Sequence, residues 1–257
     1  MKRNTWIQGS LMSLLLLYLC ACSNSNANDG NTSSNSLMKI VQETEHGLFY
    51  SPDPEEKVKT SVAALAEAFE SNYDRITKLF EFEPVGKTVI HVYSDKVEFT
   101  KMIGRDTEGT YVAKENVIKV YTPAALEDPE VKADYVAQVV HEFVHAVTQQ
   151  INPVVGYAKW LDEGLAYYAS NQLETELETR SLFLDVPTLE QLEDPDYFAK
   201  AGGSAYFYSG SIIRFIVHEY GEKALNEIIK DPEQMEQILK ESTQNIYEKW
   251  KADLLKT

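Results

Sequence analysis

Beyond residue 22 the chain contains no cysteine; its two, Cys20 and Cys22, both sit near the N-terminus of a 257-residue sequence. The body therefore folds without disulfides and relies on core size and on any metal it binds. Positive charge is also scarce, with 24 lysines and arginines against 40 aspartates and glutamates and a formal charge of −16. That balance argues against nucleic acid or an anionic membrane surface as an electrostatic partner. Long hydrophobic runs are missing too. The longest, Leu11–Leu19, is too short to span a bilayer comfortably as a helix. No internal repeat and no composition break marks a second domain, so residues 38–257 are expected to form one domain.

The short apolar run has a different use. Lys2 and Arg3 precede it, and Leu19-Cys20-Ala21-Cys22 follows. This pattern is a targeting segment, expected over residues 1–21, and it resembles a bacterial lipoprotein lipobox with Cys22 as the modified residue. Cys20 fits worse, because Leu19 would stand where a small residue is wanted; the alternative is a plain secretory signal with incidental cysteines. Residues 22–37 are serine- and asparagine-rich, without periodicity, and read as a flexible tether. The expected location is outside the cytoplasm, on the membrane through a lipid anchor.

Histidine is rare, five in all, yet two of them stand four residues apart in His141-Glu142-Phe143-Val144-His145. Residues at i and i+4 share a helix face, with Cβ atoms only about 5–6 Å apart. Both imidazoles can then reach one zinc ion, while Glu142, next to the first ligand, can accept a proton from the attacking water. From Val131 to Ile151 the residues Val136, Val139, Val140, Phe143, Val144, Ala146 and Val147 nearly encircle the helix. A helix apolar on most sides is buried, and buried charge is costly unless paired or metal-bound. A solvated face does not explain these side chains.

The flanking chain alternates short strands and helices. Apolar runs at 37–41 and 47–50 suggest strands, and Val62, Leu65, Phe69, Tyr73 and Ile76 recur at helical spacing through about residue 82. Residues 87–93 read as a strand with His91 as a structural residue, and 95–103 as a helix ending at Gly104. Residues 110–113 and 117–121 form an expected hairpin. After the metal helix come helices at 160–168, at 205–220 broken by Gly221, after Pro232, and at 243–255, with 181–200 irregular.

Together, His141-Glu142-x-x-His145 and Trp160-Leu161-Asp162-Glu163-Gly164-Leu165-Ala166 resemble the gluzincins, most closely the peptidase MA-like domains related to thermolysin and the zinc aminopeptidases. The resemblance covers about Leu48 to Lys256. It implies an α+β fold, with a small, mostly antiparallel sheet packed on the zinc-binding helix and then an all-helical half. It also implies Glu163 as third ligand of a Zn2+ ion, beside an open position for water, with Asp162 a rim or supporting group. A tyrosine that stabilises the oxyanion falls on Tyr206 or Tyr208, with Tyr206 favoured. The implied reaction is hydrolysis of a peptide or protein substrate by a monomer. The aminopeptidase G-x-M-E-N strand is replaced by Val112-Ala113-Lys114-Glu115-Asn116, which makes an endopeptidase the expectation over an exopeptidase. The rival is a catalytically inactive, zinc-containing lipoprotein that binds peptides or supports the envelope.

Overall fold

The computed structural model describes residues 38–180, 185–194 and 196–255. The leader, Cys22 and the tether lie outside the described residues.

The first half builds a sheet over helices. Strands β1 (Lys39–Glu43) and β2 (Gly47–Ser51) lead into the long helix α1 (Glu55–Leu79), then β3 (Thr88–Tyr93), α2 (Lys96–Ile103), and the hairpin β4 (Gly109–Val112) and β5 (Val117–Tyr121). Helix α3 (Pro129–Ile151) follows and carries both histidines of the pair. The strands lie in the order β1-β2-β3-β5-β4. β1 and β4 pair antiparallel with their neighbours, whereas β2/β3 and β3/β5 are parallel. The sheet is therefore mixed, not mostly antiparallel as expected. Helical crossovers return the chain in the same direction: α1 joins β2 to β3, and α2 with β4 separates β3 from β5.

Strand alternation sends Phe49, Ile90, Ile118 and Val120 to one face, where they are buried against α1 and α3. Helix α1 meets them with Val62, Leu65, Phe69, Tyr73 and Ile76. Phe143, between the two histidines in sequence, is locked into this layer, with its ring 4.9 Å from Phe69 and 5.3 Å from Tyr73. That anchor fixes the rotation of α3. The N-terminus of α3 is set by Asp128, whose carboxylate accepts the Glu130 N–H (2.9 Å), and by Pro129 in the first turn. Asn152-Pro153 stops the helix at the far end.

The second half is helical: α4 (Lys159–Ala169), α5 (Gln172–Thr179), α6 (Leu189–Glu193), α7 (Tyr197–Ala201), α8 (Gly203–Lys230), α9 (Met235–Leu239) and α10 (Thr243–Leu254). α8 breaks at Gly221 (φ 86), as expected, and a second helical stretch resumes directly after it. α4 lies tightly on α8, because a Cβ at Gly164 would stand 2.7 Å from the Ser209 carbonyl oxygen. Trp250 of α10 is buried and donates its indole N–H to Ser211 Oγ of α8 (3.0 Å). Among the described residues no helix is long and apolar enough to cross a membrane.

Candidate metal centre

α3 and α4 face each other, and three side chains meet between them. His141 Nε2 and His145 Nε2 are 3.1 Å apart, and Glu163 Oε2 lies 3.3 Å from the first and 3.6 Å from the second. This buried group could hold a metal ion.

The chemistry of the donors supports that use. His141 Nδ1 lies 2.8 Å from the amide oxygen of Gln172, and His145 Nδ1 lies 2.8 Å from Asp162 Oδ1. Each imidazole thus donates its Nδ1–H outward and turns an Nε2 lone pair inward. With both rings neutral, two lone pairs and a carboxylate oxygen converge with no donor between them, an arrangement that wants a cation, whether a metal ion or a proton. The electrostatics agree. Burial opposes charge on His145, yet the Asp162 and Glu163 carboxylates overcome it and hold its pKa well above the ordinary value. Burial likewise pushes the Glu163 carboxyl up, but the two imidazoles hold it well below the usual carboxylate range. Lys159 meets the other oxygen of Glu163 at 3.4 Å.

Glu142 lies outside this triangle but lines the same cleft, of about 430 Å³. Gln138, one turn earlier, donates to Glu142 Oε1 at 2.6 Å. β4 passes close by; a Cβ at Gly109 would stand 2.9 Å from Gln138 and 3.1 Å from Glu142 Oε1. The glycine lets the edge strand run against the helix.

The two tyrosine candidates separate. Tyr206 lines the cleft, with its ring 6.5 Å from that of His141. Burial, aided by the negative charges of Glu163 and Glu142, pushes its phenol up to about 12. Tyr208 is fully buried against Phe207 and Trp250, away from the cleft. Glu115 stands exposed in the hairpin turn, paired with Lys119 at 2.8 Å, and does not line the cleft. His91 sits half-buried on the sheet between Tyr50 and Tyr93. The glutamines were invisible beforehand: Gln138, Gln172 and Gln149, which donates to Asp162 at 3.2 Å, carry no spacing signal that separates them from solvated amides.

No protein-family model matches the chain, and no curated protein matches it.

Proposed function

We propose that the chain is a zinc-dependent peptidase of gluzincin type, held outside the cytoplasm by a lipid on Cys22, and that it cuts within chains. One observation carries this reading: Glu142 stands between two converging ligands in sequence, shares their cleft, and takes no part in the triangle. Ligands held tetrahedrally at about 2.0–2.1 Å from zinc stand roughly 3.4 Å apart, which suits acceptor atoms spaced 3.1, 3.3 and 3.6 Å. His141, His145 and Glu163 would hold the ion, which when bound polarises a substrate carbonyl and makes water more acidic.

The chain's own groups divide the remaining work. Glu142 takes the proton of the attacking water and returns it to the leaving amine. Tyr206, with a pKa near 12, stays protonated at neutral pH and can donate to the developing oxyanion. β4 is an edge strand and passes beside Glu142, so an extended substrate can add there as a further strand. Internal cleavage is favoured because β4 carries no acid to hold a free amino terminus, Glu108 is paired with Lys96 at 2.7 Å, and Glu115 is paired with Lys119. Metal analysis of the purified chain, beside cleavage of a library of N-acetylated peptides, tests the proposal. About one zinc per chain and internal cuts are expected. Cleavage confined to peptides with free amino termini would make it an aminopeptidase, and stoichiometric zinc without cleavage would leave a binding protein.

A further inference from the structure

The cleft wall is unusual for a site that accepts peptides. Among the described residues, no leucine, isoleucine, valine, methionine or phenylalanine lines it. Among the described residues the only bulky apolar surface there is that of the Tyr111, Tyr167 and Tyr206 rings, and no aliphatic pocket buries a bulky side chain, the commonest way to gain affinity for one. What the wall does hold is a cation, Arg105, in a chain of net charge −16.

Arg105 lies in the loop between α2 and β4. The loop begins at Gly104 (φ 82), the left-handed residue that ends α2. It is tied down by Lys96, whose Nζ donates to the Thr107 carbonyl (2.7 Å) and pairs with Asp106 (3.1 Å) and Glu108 (2.7 Å). Both acids near Arg105 in sequence are thereby engaged elsewhere. The guanidinium keeps a single long hydrogen bond, 3.4 Å to Thr110 Oγ1, and among the described residues no carboxylate lies within ion-pair distance. Its charge also reaches the Tyr206 hydroxyl, where it works against the rise in that phenol's pKa. The other cation on the wall, Lys159, is occupied by Glu163 and by the Phe198 ring.

We infer that Arg105 receives a carboxylate of the substrate and is the residue that sets specificity, selecting acidic peptides over bulky apolar ones. The guanidinium is planar and can take a carboxylate bidentately, and the braced loop keeps this exposed side chain at the cleft rim. The inference rests on the peptidase reading, and the carboxylate can come from an acidic side chain or from a C-terminus.

The test is binding to the zinc-loaded full chain carrying Glu142→Gln, read by fluorescence anisotropy. Four labelled peptides are compared: blocked at both ends with a central glutamate, leucine or lysine, and the leucine peptide with a free C-terminal carboxylate. The blocked glutamate peptide should bind about tenfold more tightly than the blocked leucine one. Arg105→Gln should erase that advantage, and Arg105→Glu should transfer it to the lysine peptide. If the carboxylate is a C-terminal one, only the free-acid leucine peptide will show the Arg105-dependent gain. Equal binding of all peptides, no binding of any, or an equal loss for all in Arg105→Gln would overturn the proposal. Cleavage of glutamate and leucine peptides at equal rates by wild type, unchanged in Arg105→Gln, would sink it while leaving the peptidase intact. Arg105-dependent binding without any wild-type cleavage would sink the peptidase and leave the carboxylate site.

Discussion

Asp162 and Glu163 are neighbours in sequence with different tasks at the metal group. Glu163 supplies an oxygen to the triangle, whereas Asp162 stands behind His145 and accepts its Nδ1–H. Glu163→Ala should therefore abolish stoichiometric zinc binding. Asp162→Ala should weaken affinity by about 10–100-fold, as losing the partner behind a ligand does, while saturation at high zinc is still reached. Zinc titration against a competing chelator distinguishes the two. Protons compete with a definite sign. A histidine whose pKa is raised holds its proton to higher pH, so protons compete with zinc and zinc should be lost as pH falls. Zinc retained after dialysis across a pH series checks this direction.

At the scale of elements, two packing points hold the histidines and the glutamate in reach of each other. Phe143 keys α3 into the aromatic layer with Phe69 and Tyr73. Phe143→Ala should cost about 3–5 kcal/mol through the cavity it leaves, seen as a lower midpoint in denaturant. Gly164 lets α4 lie on α8. Gly164→Ala should cost about 1–3 kcal/mol by overpacking, lower Tm, and weaken zinc binding because Glu163 moves with α4. The helices were legible because apolar residues recur every three or four positions, as in Val62, Leu65, Phe69, Tyr73 and Ile76 of α1. The pair at 141 and 145 was legible for the same reason, since spacing alone places both rings on one face. Glu163 was not: nothing in its spacing separates it from Asp162, and it entered only through the likeness of residues 160–166 to a known motif. The sheet order escaped too, because strand residues show which side chains alternate but not which strand lies beside which. Helix α5, Gln-Leu-Glu-Thr-Glu-Leu-Glu-Thr, has too few apolar residues to announce itself, yet it places Gln172 behind His141.

On the scale of the whole molecule, a sheet layer and a helical layer meet at the cleft, so the metal group draws His141 and His145 from one and Glu163 from the other. An ion bound there ties the halves together. Stripping zinc should lower Tm, and restoring it should raise Tm with the logarithm of free zinc. Placement in the cell is a separate matter: on the proposed lipid anchor, Cys22→Ser should move the protein out of the membrane fraction while Cys20→Ser should not, because only Cys22 follows a small residue, Ala21.

The central claim is that Glu142 is a base and not a ligand. Wild type and Glu142→Gln should be compared for hydrolysis of one internally cleaved peptide, at matched zinc content. General-base catalysis contributes about 10²–10⁴-fold, so the variant should retain its zinc and lose activity by at least that order. A variant that cuts as fast as wild type, or one that loses its zinc along with its activity, would contradict the assignment of Glu142.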